Sequence, residues 1–322
     1  PWQNTRDPYR VWLSEIMLQQ TQVAAVLGYY QRFLDRFPDV AALAAAPLDD
    51  VLGLWSGLGY YSRARNLHAC AQAVMEHHGG AFPRTALELQ ALPGIGPSTA
   101  AAISSFCFGE RAAILDGNVK RVLTRVLAYG EDLSSAAKER ALWDMARALL
   151  PTRELREAMP RYTQGIMDIG ATVCLPRNPS CLICPVEPAC AAAREGRPEA
   201  YPVRTRKVKR SAESLWLLHA RSGDGSVWLQ RRPDSGVWGG LHCLPAFGSR
   251  DALLAAVPPA ARDGLRDAPV FLHVLTHKDL HLHPVDAQLP ADWQGLDGGW
   301  FGAGQWPALG LPAPVRKLLE NA

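Results

Sequence analysis

The chain has 322 residues, long enough for two domains with cores of their own. Its 48% hydrophobic and 20% charged content is that of a globular protein, and no apolar run reaches the roughly 20 residues that span a bilayer. Residues 1–203 balance to zero charge, the run RTRKVKR at 204–210 adds five positive charges and residues 211–322 sum to −2, so any contact with nucleic acid must rest on local groups.

Residues 11–37 carry Trp12, Ile16, Val23, Leu27, Tyr30, Phe33 and Phe37 at helical spacing, which predicts a helix. Glu15, Gln19 and Gln22 follow one another at four and three residues, a polar seam beside the apolar stripe. Taken alone, Glu15 reads as a solvated face residue. In residues 54–67, LWSGLGYYSRARNL, two glycines interrupt the helical pattern and two tyrosines precede Arg63 and Arg65. Aromatic rings beside guanidinium groups suit bases and phosphates, and equally suit a packed helix junction.

The stretch 92–122, LPGIGPSTAAAISSFCFGERAAILDGNVKRV, reads as the end of one helix, a turn, a second helix, and a loop opening a third. Thr85 and Glu88 fit a capping box for the helix before it. Gly94 and Gly96 supply a turn that side chains would obstruct, and Pro97 suits the first position of the next helix. A glycine turn feeding a helix N-terminus leaves backbone N–H groups free for a phosphate. Asp116 reads locally as an N-cap.

Helices are predicted over residues 134–150 and 154–172. Cys174, Cys181, Cys184 and Cys190 then follow with spacing C-x6-C-x2-C-x5-C. Four thiols within 17 residues point to a metal centre rather than disulfides in a reducing compartment, with zinc and iron–sulfur as the two candidates. Cys70, Cys107 and Cys243 stand alone and read as packing residues. A proline-containing basic linker is expected over 195–211. Beyond it, LWLLHA and SVWLQRR form a predicted hairpin through Gly223-Asp224-Gly225, VWGGLHCLPAF, VFLHVLTH and DLHLHPV read as further strands, and PVRKLLEN as a closing helix. Leu280 and Leu282 alternate with His281 and His283, as in a half-buried strand.

These motifs carry a resemblance over nearly the whole chain. LPGIGPSTA with LDGNVKRV resembles the helix-hairpin-helix DNA glycosylases, and VWLSEIMLQQTQV resembles the catalytic helix of the MutY-type adenine DNA glycosylases. The resemblance implies that Glu15 is the acid/base, that Asp116 stabilises the sugar, and that Asn118 orients water or Asp116. It gives Gln20 entry into the DNA stack, Tyr60 a wedge role, and Gly94, Gly96, Ser98 and Lys120 places at or near the DNA. The cysteine spacing resembles the 4Fe–4S loop of the endonuclease III and MutY families, which favours iron–sulfur over zinc. RRPDSGVWGGLHCLP resembles the entry to a Nudix fold lacking the acidic metal-binding helix, so nucleoside diphosphate hydrolysis is not expected. The Phe-Ser-His loop by which the family reads 8-oxoguanine stands here as Leu275-Thr276-His277, which keeps a hydroxyl and loses a ring.

The implied architecture is an all-α helix-hairpin-helix glycosylase domain over 1–194, with the hairpin at about 85–108 and the cluster loop at 174–190. The linker 195–211 and an α+β Nudix-like domain over 212–322 follow. The implied partner is double-stranded DNA carrying adenine opposite 8-oxoguanine or guanine. A monomer is expected, in the bacterial cytoplasm at the nucleoid and without a membrane. Two alternatives remain at this point. An endonuclease III-like glycosylase and lyase would carry a nucleophilic Lys where Ser98 stands, and a non-enzymatic iron–sulfur DNA-binding module would have no use for Glu15 and Asp116.

Overall fold

The computed structural model describes residues 1–205 and 209–321. Residues 206–208, part of the basic run expected in the linker, lie outside the described residues. The helices in chain order are α1 (Pro8–Leu18), α2 (Val23–Arg36), α3 (Val40–Ala45), α4 (Leu48–Leu54), α5 (Ser62–His78), α6 (Ala86–Leu89), α7 (Pro97–Phe108), α8 (Gly117–Val126), α9 (Ala136–Ala148), α10 (Leu155–Asp168), α11 (Ala191–Arg194), α12 (Arg250–Ala256) and α13 (Ala313–Glu320). The strands are β1 (Ser211–Arg221), β2 (Val227–Arg231), β3 (His242–Cys243), β4 (Ala246–Phe247), β5 (Arg266–Asp267), β6 (Phe271–Val274), β7 (Lys278–Gln288) and β8 (Gly299–Phe301). They fall into two compact units. One holds residues 1–23, 39–41 and 69–207, the other residues 24–38, 42–68 and 208–322.

The first unit is helical. Its core gathers Leu115, Val119, Val122, Leu142 and Met159 from α8, α9, α10 and the loop before α8. Trp12 of α1 is fully buried, its ring 5.1 Å from that of Phe82. The α7 helix starts where Pro97 takes the first helical position and stops at Gly109, whose φ of +71° favours glycine. A Cβ there would also stand 2.6 Å from the Arg156 Cα. After α10 the chain makes one π-helical turn, Ile169–Val173, which delivers Cys174.

The predicted helix over 11–37 is two helices. The first ends at Leu18, and Gln20 takes a left-handed φ of +58°. That break re-phases the stripe, so Trp12, Ile16, Tyr30, Phe33 and Phe37 are buried while Val23 and Leu27 are 54% and 43% exposed. It also removes Gln22 from the helical seam of Glu15 and Gln19.

In the second unit the sheet runs in the order β3-β2-β1-β7-β5, with β4 on β1, β6 on β7 and β8 on β2. The β1–β2 hairpin forms as its Gly-Asp-Gly turn predicts. The long β1 and β7 pair in parallel, Ser211 with Lys278 through Arg221 with Gln288. One face buries Leu215, Leu217, Leu280 and Leu282 against Leu311 and Val315, and the other buries Leu218, Val285 and Trp228 against Leu253 and Trp293. VWGGLHCLPAF yields only the short β3 and β4, because Trp238 and Gly240 adopt positive φ and turn the chain. The architecture is thus a helical part, with the hairpin of α6 and α7, followed by an α+β part built on a mixed sheet.

Candidate active site and metal centre

Asp7 caps α1, its side chain accepting from the N–H groups of Tyr9 (2.9 Å) and Arg10 (3.4 Å), and Pro8 occupies the first turn. Two turns further on, Glu15 sits half-buried between two open clefts and lines both. One, of about 1020 Å³, is walled by Gln19, Gln20, Thr99, Asp116 and Asn118. The other, of about 1180 Å³, is walled by Trp2, Arg6, Phe106, Gln164 and Met167. Burial pushes the Glu15 carboxyl from 4.5 up to about 8, and the negative charge of Asp116 adds to the rise.

Asp116 is the N-cap of α8 and faces Glu15's cleft at the same time. Its Oδ1 accepts from the N–H groups of Asn118 (2.7 Å) and Val119 (2.9 Å). The two readings of this residue are compatible, because one oxygen fixes the helix start and the carboxylate still borders the cleft. Ser98, on the first turn of α7, accepts from the Leu115 N–H (3.0 Å) and so pins the loop leading into Asp116. Gln19 donates to Thr99 Oγ1 (3.3 Å), and Gln20 is exposed at the helix break.

The two hairpin glycines have different reasons. Gly94 needs its φ of +74°. Gly96 has an ordinary φ of −83°, and a Cβ there would meet nothing within 4 Å. No contact among the described residues calls for glycine at Gly96, and its bare backbone precedes the free N–H groups of α7. Lys120, expected at the DNA, does not line the cleft. Its ammonium is ion-paired with Glu139 on the first turn of α9.

The four cysteines Cys174, Cys181, Cys184 and Cys190 line one cavity. Among the described residues no three Cys, His, Asp or Glu converge tightly enough to hold a single metal ion. Tetrahedral zinc at about 2.3 Å from sulfur would draw its thiolates to about 3.8 Å from one another. A cluster in which each thiolate binds its own iron needs four cysteines around one cavity, as these four stand. Sequence reasoning missed two residues here, Arg121 and Arg125, buried at i and i+4 on α8. Arg125 donates to Cys174 Sγ (3.3 Å) and to the carbonyls of Leu175 (2.7 Å) and Pro176 (3.0 Å). Arg121 donates to the carbonyls of Cys174 (2.7 Å) and Gly170 (2.6 Å) and to Asn118 Oδ1 (2.8 Å). One helix therefore joins the cysteine loop to the Asp116 cleft. The signal was present as a pair of arginines one turn apart among the valines and leucines of α8.

In the second unit Tyr60, with φ of +48°, is 45% exposed, and its hydroxyl shares a 2.8 Å hydrogen bond with Thr276 Oγ1. Arg63 lies over the rings of Tyr60 and Trp55, at 5.5 and 5.2 Å. Thr276 and His277 form the exposed turn between β6 and β7, closed by Leu275 donating to the Lys278 carbonyl (2.8 Å). Tyr60 and Thr276 are 216 residues apart in the chain, and nothing local predicts their contact.

Residues 13–148 match the HhH-GPD superfamily of base excision DNA repair proteins, and residues 216–321 match the NUDIX domain. The chain is 35% identical over 327 residues to the adenine DNA glycosylase of Buchnera aphidicola, spanning 100% of this chain and 92% of that one. It is 48% identical over 188 residues to the human adenine DNA glycosylase, covering 58% of this chain and 34% of that one. Among solved structures, a thermostable thymine-DNA glycosylase superposes with a TM-score of 0.52 at 30% identity, over 61% of this chain and 88% of that one. A trapped endonuclease III–DNA intermediate shares the fold with a TM-score of 0.51 at 23% identity, over 60% and 87%. With helix-hairpin-helix and NUDIX matches in order along the chain and a relative 35% identical over its full length, this chain belongs to the adenine DNA glycosylase family, enzymes that hydrolyse N-glycosyl bonds.

Proposed function

We propose that the protein removes adenine mispaired with 8-oxoguanine or guanine from double-stranded DNA by hydrolysing its N-glycosidic bond. The observation that carries this reading is the Glu15 carboxyl, raised to about 8 and set between two clefts with Asp116 beside it. Adenine must leave the base stack before its reactive atoms can be reached. The cleft beyond Glu15, with Trp2, Phe106 and Gln164, suits the flat base, and the cleft holding Asp116 and Asn118 suits its sugar. Glu15, protonated at neutral pH, gives its proton to a ring nitrogen of adenine, so the base departs neutral. Asp116 then faces the cationic sugar and stabilises it, or traps it briefly as an ester-like adduct. Asn118, held through its carbonyl oxygen by Arg121, keeps its amide N–H groups to orient water.

The turn at Gly94 and Gly96 holds a phosphate on the N-terminus of α7, and Gln20 enters the stack. Thr276 and His277 read the opposite base, with Tyr60 as a wedge tied to Thr276. Cys174, Cys181, Cys184 and Cys190 would hold a 4Fe–4S cluster, which supplies a cross-link to the 174–190 loop. In this reading the glycosylase domain is 1–194, the linker is 195–211 and the lesion-recognition domain is 212–322. The protein works as a monomer in the bacterial cytoplasm. Ser98 stands where a lyase would place its lysine, so strand cleavage is minor.

The test is single-turnover cleavage of duplexes with adenine opposite each normal base and 8-oxoguanine. Release confined to the 8-oxoguanine and guanine pairs is expected. Equal release opposite thymine would overturn the reading.

A further inference from the structure

Lys120 sits at the start of α8, its N–H donating to the Asp116 carbonyl (2.8 Å). Helical side chains lean toward the N-terminus, and residues four apart share a face. The ordinary course of the Lys120 side chain is therefore toward Asp116 and its cleft. It goes elsewhere. Its ammonium is ion-paired with Glu139, and it is absent from the cleft wall. The pair is partly shielded, with side-chain exposures of 16% for Lys120 and 34% for Glu139. A cation on the first turn of α8 opposes that helix's dipole, whereas Glu139 on the first turn of α9 is favoured by its own, so the pair resolves a conflict built into α8.

We propose that Glu139 is a positioning residue that holds the Lys120 amine out of the cleft and thereby suppresses Schiff-base formation on the abasic product. The inference rests on the reaction above, whose product is a deoxyribose without its base. The ring-opened form of that sugar carries an aldehyde at C1′. A free amine donates its lone pair to that carbon, the hydroxyl so formed leaves as water, and a C=N bond remains. The balance needs neither oxidant nor reductant. The iminium acidifies the C2′ hydrogens, and loss of one with departure of the 3′ phosphate breaks the strand. An amine drawn to Glu139 stands outside the cleft wall and does not reach that carbon. Release of adenine without strand scission is then partly set by a residue outside the cleft.

The experiment uses the full chain and a duplex with a preformed abasic site opposite 8-oxoguanine, trapped with sodium borohydride and read as covalent protein–DNA adduct. Single-turnover adenine release is measured separately on the intact mispair. Glu139→Gln should raise the adduct about fivefold, the population change a partly exposed ion pair commands. Adenine release should stay unchanged. Adding Lys120→Ala should return the adduct to the wild-type yield or below. No rise in Glu139→Gln, or a rise that survives Lys120→Ala, overturns the proposal. A loss of adenine release without gain of adduct overturns it too, because the pair is then only a brace between helices. Wild-type protein that releases no adenine would refute the reaction assigned above, while the preformed abasic duplex still tests Glu139 on its own.

Discussion

Glu15→Gln should make the protein more stable while abolishing adenine release. The folded carboxyl is raised from 4.5 to about 8, chiefly by burial and further by Asp116. A raised carboxyl contributes stability that is complete below about 4.5 and is lost as pH climbs toward 8. Holding this carboxyl protonated while the unfolded chain's is ionised therefore costs the fold up to about 3 kcal/mol at pH 7, and ionising it in place costs up to about 5 kcal/mol above pH 8. Gln keeps the shape and never ionises, so the variant should gain that amount at pH 7 and nothing at pH 4. Denaturant unfolding at pH 4, 7 and 9 measures the gain. The same group sets the rate. As proton donor it should hold single-turnover release near its plateau up to about pH 8, then lose tenfold per pH unit above. Asp116→Asn removes the second cause of the rise, so its residual activity should begin to fall at lower pH. Wild-type release that stays flat from pH 8 to 10, or a Glu15→Gln protein no more stable than wild type at pH 7, would refute the assignment of Glu15 as a buried acid.

Freshly purified protein should be yellow-brown with about four iron atoms per chain, and elemental analysis finding stoichiometric zinc would overturn the cluster. Cys181→Ser should lower iron content and DNA affinity together. Gly94→Ala should cost about 1–2 kcal/mol of stability through its left-handed backbone, whereas Gly96→Ala should leave unfolding unchanged and weaken DNA binding. That contrast is read by pairing thermal melts with binding titrations. Arg121→Leu should leave the carbonyls of Cys174 and Gly170 without their donor, costing about 1–3 kcal/mol, and should slow adenine release because Asn118 loses its anchor. Thr276→Ala with His277→Ala should reduce the preference for 8-oxoguanine over guanine by an amount set by one contact of about 1–3 kcal/mol, and truncation after about residue 211 should reduce it further. An unchanged ratio of single-turnover rates on the two mispairs would place that preference elsewhere.

Several features were legible without any fold. Thr85 caps α6, accepting from the Glu88 N–H (3.3 Å), because a capping box is a matter of four consecutive residues. Gly94 announced its turn, the Gly-Asp-Gly run announced the β1–β2 hairpin, and four cysteines in one short loop announced a shared cavity. Glu15 and Asp116 became candidates through the wording of their motifs, and local pattern alone left Glu15 as a solvated face residue and Asp116 as an N-cap. Only tertiary structure decided the rest. It broke the 11–37 helix at Gln20, where no glycine or proline marks a stop. It set β7 parallel to β1 and tied Tyr60 to Thr276 across 216 residues. It turned Lys120 toward Glu139 and sent Arg121 and Arg125 to the cysteine loop. Local sequence controls backbone preference over a few residues. The direction of a long charged side chain, and the protonation of a carboxyl, depend on which distant segments exclude water around it, and that is a property of packing.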